Sequence, residues 1–178
     1  MKEKQAIMTP EEEKFMALEG LIQWIVGAIN QGKTLEAARL KMIHNELTDH
    51  QSRRLFFAQL RCDQHYFSIA AHQVLEHLDW VKRSGLCRNI DFSILKEFSS
   101  GDIKDLRDMR EHVIEYFKGK GKNKSRWVIN HPEFRGDASG VVGNLIGGRL
   151  DWVRFAAAAA KLLPELLAEP MAPPLPRL

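Results

Sequence analysis

GAINQGKT, residues 27–34, fits the phosphate-loop template G-x-x-x-x-G-K-[ST], and its reading decides the fold. A phosphate loop joins a buried strand to a helix, so that backbone N–H groups and the helix dipole surround the phosphates. That reading makes the chain a parallel α/β protein that binds a nucleoside triphosphate through Lys33 and Thr34. The flanking sequence argues for helix on both sides. Thr9 is followed by Pro10 and three glutamates, which gives a capping residue, a proline suited to the first helical position and acids at the positive end of the helix dipole. Phe15, Leu18, Ile22, Ile25 and Ile29 then recur at helical spacing. A nucleotide hydrolase also needs an acidic residue on a second apolar strand to hold Mg²⁺, and no hydrophobic run ending in Asp follows. The stretch is therefore read as a helix connection, in which Gly32 ends one helix and Thr34 caps the next.

The rest of the chain continues in helical periods. LEAARLKMIHNEL forms the second helix, and Thr48 or Asp49 starts a third that runs to about Arg83. The third carries Leu55, Leu60, Phe67, Ala70, Leu75, Leu78 and Val81 as its apolar residues and stops at Ser84-Gly85. FSILKEF makes a short helical piece. Ile103, Leu106, Met109 or Arg110, Val113 and Phe117 mark a fourth amphipathic helix. RWVIN and SGVVGNLIGG are β-branched and glycine-spaced, the pattern of two short strands or an irregular hairpin. Asp151 caps a last helix, WVRFAAAAAKLL. The expected fold is mainly α: an up-and-down bundle of about five helices with a small β-hairpin-like insertion before the last one. One domain is expected over residues 1–163, with a proline-rich, flexible tail over 164–178.

The 178 residues suffice for one domain with a buried core. A net charge of +3 predicts no nucleic-acid partner by itself, so any basic site is local. Cys62 and Cys87 lack metal-type spacing and are expected as reduced thiols of a cytoplasmic protein. The first residues, MKEKQAIMTPEEEKF, do not read as a signal peptide. The longest apolar runs, LIQWIVGAI and FAAAAA, are too short to cross a bilayer.

Chemistry concentrates in LRDMREHVIEYFKGKGKNKSRW, residues 106–127. On one continuous helix Asp105, Asp108, His112 and Tyr116 form a stripe opposite the apolar face. Asp108 and His112 stand at i and i+4, where a carboxylate orients an imidazole. Arg107 lies about 140° round the helix from His112, long enough to lean toward the site or to act on one shared with another subunit. Lys118, Lys120, Lys122, Lys124 and Arg126 follow, interleaved with glycine and asparagine. Such a basic loop attracts an RNA backbone. A histidine with an unperturbed pKa near 6.5 suits proton removal from a 2′-hydroxyl, and an arginine suits charge stabilisation on the phosphate, with no metal or other cofactor. Charges on the outer face of a helix are also commonly just solvated.

The segment resembles the HEPN superfamily, whose signature is Arg, a polar residue, a short spacer and His. Arg107-Asp108-Met109-Arg110-Glu111-His112 fits with four residues between Arg and His. The likeness extends over QHYFSIAAHQVLEHL and IGGRLDW, roughly residues 58–163. It departs in Asp108, where Asn is commoner, in the Val-Ile-Glu-Tyr that follows His112, and in lacking a fused nucleotidyltransferase domain. The resemblance implies a small helical bundle that is often dimeric. It further implies metal-independent RNase activity of toxin or defence type, with Arg107 and His112 meeting at the dimer interface, and a cognate antitoxin or nucleotidyltransferase as partner. The alternative is a noncatalytic nucleotide- or protein-binding relative on the same fold.

His65 and His72 share a face of the third helix, and His77 does not. The Glu-x-x-His pairs of di-iron bundles do not occur in this sequence. These histidines are read as capping the core or facing solvent. Trp24, Trp80, Trp127 and Trp152 are scattered over different elements and read as core anchors.

Overall fold

A computed structural model describes residues 8–44, 48–122, 124–131 and 134–170. Its first element settles the reading of GAINQGKT. Helix α1 runs unbroken over Pro10–Ile43, straight through residues 27–34. Its start is the expected one: the Thr9 hydroxyl accepts from the Glu12 backbone N–H at 3.2 Å, and the Glu12 carboxylate accepts from the Thr9 N–H at 2.7 Å. The expected break at Gly32 does not occur, so there is no separate second helix and Thr34 caps nothing. The Thr34 hydroxyl instead donates back to the Asn30 carbonyl at 3.2 Å. Packing is the reason. Ala17, Leu18, Leu21, Ile25, Ala28, Gly32 and Leu35 form one buried stripe, and burying it offsets the roughly 1 kcal/mol that glycine costs in a helix interior. A Cβ on Gly32 would lie 2.7 Å from the Cβ of Ala156, so the bare backbone is what lets another helix approach. GAINQGKT is thus the contact face of a helix, with its N–H groups spent inside that helix.

Helix α2 covers His50–Arg83 and is capped by Asp49, whose carboxylate accepts from Ser52 N–H at 2.8 Å. It returns along α1. The two meet closely at Gly20, where a Cβ would fall 2.3 Å from the His77 ring. After Ser84-Gly85, a 3₁₀ turn at Phe92–Leu95 leads to α3, Ser100–Glu111. The fourth amphipathic helix of the sequence is in fact two. It breaks at His112, whose N–H still bonds the Asp108 carbonyl while its own carbonyl starts α4, Val113–Phe117. A short α5, Lys124–Trp127, follows.

The β insertion holds two small antiparallel units. β1 (Val128–His131) pairs with β2 (Phe134–Asp137), with Val128 opposite Asp137. β3 (Val141–Val142), β4 (Leu145–Ile146) and β5 (Leu150–Asp151) form the other, in that order. Asp151 caps α6, Trp152–Leu167, accepting from the N–H groups of Val153 and Arg154 at 3.1 and 3.0 Å. This helix passes Pro164, the residue at which the tail was expected to begin, because Leu162 and Leu166 stay on its buried face. The tail from residue 171 lies outside the described residues.

The protein is therefore mainly α, with its small strands before the last helix, as expected. The core lies where α1, α2 and α6 meet. Phe67 and Phe155 touch edge to face there, and Phe98 packs on Phe155 from the other side. Among the described residues no helix is long and apolar enough to cross a membrane.

Two glycines of α1 give opposite predictions. Gly32→Ala forces its methyl against Ala156 and lowers the unfolding free energy by about 1–3 kcal/mol. At Gly27 the nearest atom to a new Cβ is a Trp24 ring carbon at 3.9 Å, so Gly27→Ala raises stability by about 0.5–1 kcal/mol. Urea denaturation of the two variants checks both signs.

Candidate functional site

The break at His112 shapes the candidate site. A cleft of about 430 Å³ opens at the α3–α4 junction, lined by Arg107, Asp108, Glu111, His112, Glu115, Tyr116 and Lys122. All four candidate catalytic residues and one lysine of the basic loop therefore border a single space.

Their pairing differs from the expected one. Asp108 does not orient His112. Its Oδ1 accepts from Nε and Nη2 of Arg107 at 3.1 and 2.6 Å. The carboxylate nearest His112 is that of Glu115, with Oε1 3.5 Å from Nδ1. Arg107 claims the Asp108 carboxylate, and the helix break at His112 carries the residues after it, Glu115 among them, off the continuous stripe. Tyr116 is displaced in the same way. It is buried, not solvent-facing, and its ring stacks on Trp127 with centroids 5.0 Å apart.

The basic loop divides. Lys118, Lys120, Lys122 and Lys124 are exposed. Arg126 is not part of an open loop: its guanidinium binds the carboxylates of Asp102 and Asp105 on α3, and its backbone carbonyl accepts from Arg149. Asp105, the first member of the expected stripe, is thus a structural partner of Arg126.

Two residues matter more here than the sequence indicated. Arg110 is largely buried and donates to the carbonyls of Ala138, Ser139 and Arg61 at 3.1, 3.0 and 3.2 Å. It ties α2, α3 and the turn after β2 together, and burial brings its pKa down to about 10. The helical spacing had left Met109 or Arg110 as alternatives for the inward position; Met109 is fully buried, and Arg110 goes in beside it. The second residue is His72, only 4% exposed. Its Nδ1 lies 3.2 Å from Nη1 of Arg107. A guanidinium only donates, so Nδ1 accepts and the neutral ring carries its proton on Nε2. Among the described residues that buried N–H has no hydrogen-bond partner, and an unmet buried donor costs about 1–3 kcal/mol. Glu76 Oε1 stands 3.7 Å away, beyond bonding reach. No motif marks His72; only its place on the inner face of a long helix does.

Arg107 is thus held from two sides, by Asp108 on its own helix and His72 on α2, with Glu111 3.7 Å off. The lining sets three carboxylates, Asp108, Glu111 and Glu115, against two basic side chains, Arg107 and Lys122, so its walls carry no excess of positive charge. The chain matches no known protein-family profile, no curated protein and no solved structure.

Two predictions follow from this geometry. Arg110→Met strands the Ala138 and Ser139 carbonyls and lowers stability by at least about 2 kcal/mol in denaturant titrations. Stability should also fall in mild acid. Burial first, then Arg107, lowers the His72 pKa, and burial, then Arg110, lowers that of His65. In the unfolded chain both titrate near 6.5, so the unfolded state binds more protons as pH drops below that value. The loss runs from about 6.5 down to the folded-state pKa values, at no more than about 1.4 kcal/mol per pH unit for each histidine. His72→Asn removes its share, so a flatter stability curve between about pH 7 and 5 is the expected result.

Proposed function

We propose that this protein is a HEPN-like, metal-independent ribonuclease of toxin or defence type, cytoplasmic and homodimeric, acting at the α3–α4 cleft. The observation that carries the reading is the convergence of Arg107, Asp108, His112 and Tyr116 on one space beside Lys122. His112 stands exposed at a helix break, open to substrate. It takes the proton from a 2′-hydroxyl as that oxygen attacks the adjacent phosphorus, and returns it to the 5′-oxygen as the P–O5′ bond breaks, which leaves a 2′,3′-cyclic phosphate and a 5′-hydroxyl. Arg107 stabilises the charge that builds on the phosphate. Tyr116, fixed on Trp127, and Glu115 orient the histidine side of the cleft. Lys118, Lys120, Lys122 and Lys124 attract the backbone. Asp108 has a different role from the one its spacing suggested: it holds Arg107, and the phosphate must displace it.

That displacement favours a second reading. With Arg107 spent on Asp108 and His72, and three carboxylates on the cleft wall, the same fold serves as a noncatalytic nucleotide- or protein-binding module. An antitoxin or nucleotidyltransferase is a candidate partner in either case.

Incubation of the pure protein with mixed RNA in EDTA separates the two. The nuclease reading expects cleavage by wild type and a loss of at least about 100-fold in His112→Ala and Arg107→Ala. Asp108→Asn, which removes the competing charge and keeps an acceptor, should speed cleavage several-fold. RNA left intact by both wild type and Asp108→Asn gives the lead to the binding module. Alanine at the four lysines should weaken RNA binding and flatten its salt dependence, whereas Arg126→Ala should act mainly on stability.

A further inference from the structure

Arg107 borders a second cleft, which His72 also lines and Asp108 does not. It has a volume of about 600 Å³ and lies between α2 and α3, with Glu13 of α1 at its edge. His72, Glu76, His77 and Trp80 line it from α2, and Lys104 and Arg107 from α3. The volume falls in the range of small-molecule sites.

Three donors converge there. Nε2–H of His72 belongs to a side chain more than nine-tenths buried and has no partner. The Lys104 ammonium is exposed and takes part in no ion pair among the described residues. Arg107 has five N–H groups, of which Nε, one on Nη1 and one on Nη2 are engaged. Lys104 and Arg107 are three apart on α3 and so share a face. An unmet donor, an ammonium and a guanidinium bordering one cleft suit a phosphate group. Against this stand Glu76, 3.7 Å from His72 Nε2 and more than half exposed, and Glu13, which accepts from the Trp80 indole N–H at 3.1 Å. Part of the lining is aromatic: the rings of His77 and Trp80 lie 5.9 Å apart, with Arg83, paired to Asp79, one turn further along α2. His77 is fixed in place, its Nδ1–H donated to the Gln73 carbonyl at 2.9 Å and its ring lying over Gly20.

We infer that the α2–α3 cleft binds a phosphomonoester. The terminal oxygens take the N–H of His72, the ammonium of Lys104 and the remaining N–H groups of Arg107. The organic part lies against Trp80 and His77. Glu76 swings toward solvent as the dianion enters. This site is separate from the α3–α4 cleft and does not depend on RNA cleavage there, although the two share Arg107.

Calorimetric titration of the full chain with phenyl phosphate, ribose 5-phosphate and inorganic phosphate tests the inference. Saturable 1:1 binding of at least one ester with Kd below about 1 mM is expected, with a change in tryptophan fluorescence. Binding of inorganic phosphate alone, or as tightly as both esters, overturns the aromatic half of the assignment. His72→Asn keeps an acceptor for Arg107 near the Nδ1 position and removes the Nε2 donor, so it should weaken binding about tenfold. Lys104→Ala, an exposed change that leaves folding intact, should do likewise. Glu76→Gln should tighten binding severalfold. His112→Ala locates the ligand: unchanged affinity keeps it between α2 and α3, and lost affinity moves it to the other cleft and overturns the inference. No saturable binding of any ester, or affinities indifferent to Lys104 and Glu76, overturns it as well.

Discussion

Everything in this fold depends on how closely the backbone of α1 can be approached. At Gly20 the His77 ring of α2 occupies the space of a side chain, and at Gly32 the Ala156 methyl of α6 does the same. Close-packed interiors leave no slack for even one added carbon. The two glycines therefore act as contact points twelve residues apart on one long helix, each seating a different neighbour. With α2 and α6 drawn in, the buried stripe from Ala17 to Leu35 has apolar partners along its length. α3 then packs on α2, and the α3–α4 bend is left at the margin of the bundle, where an exposed histidine does not disturb the core.

The chemistry depends in turn on one guanidinium. Arg107 satisfies a carboxylate and an imidazole at once, and both of its open edges face clefts. A ligand on either side meets an Arg107 whose Nε and one N–H on each Nη are already engaged. Asp108 accepts two hydrogen bonds from Arg107 and carries the opposite charge, whereas the neutral His72 ring accepts one, so Asp108 is the firmer competitor and His72 the weaker. Occupation of the His72 side leaves the Asp108 pair in place, whereas occupation of the His112 side must break it. The clefts are therefore unequal, and a ligand at one alters what Arg107 has left to offer the other.

What was legible in the sequence follows from the range of the forces involved. Helix caps are local, and Thr9, Asp49 and Asp151 cap as their residue types require. The apolar stripes were legible because a 3.6-residue period records which face is buried. Gly32 was misread because the same residue ends a helix when exposed and opens a contact when buried, and only the Cβ of Ala156, more than a hundred residues away, distinguishes the cases. Pro164 belongs to the same class: a local breaker overruled by the burial of Leu162 and Leu166.

The candidate site was legible in its membership and not in its wiring. Arg107, Asp108, His112 and Tyr116 do border one cleft, because neighbours within three turns remain neighbours even across a bend. Which carboxylate serves which cation was lost, because Arg107, the chain neighbour of Asp108, takes its carboxylate, and the break at His112 moves the residues beyond it off the expected stripe. His72 and Arg110 showed at most a place on a helix face and nothing of their roles, since each acts through groups 28 to 49 residues distant in the chain. A buried polar side chain is recognised by the partner it needs, and the helical period that places it inward carries no record of that partner. Hence the candidate residues that share one stretch of helix were legible, while a group that holds an arginine in place from another helix emerged only once the helices were packed.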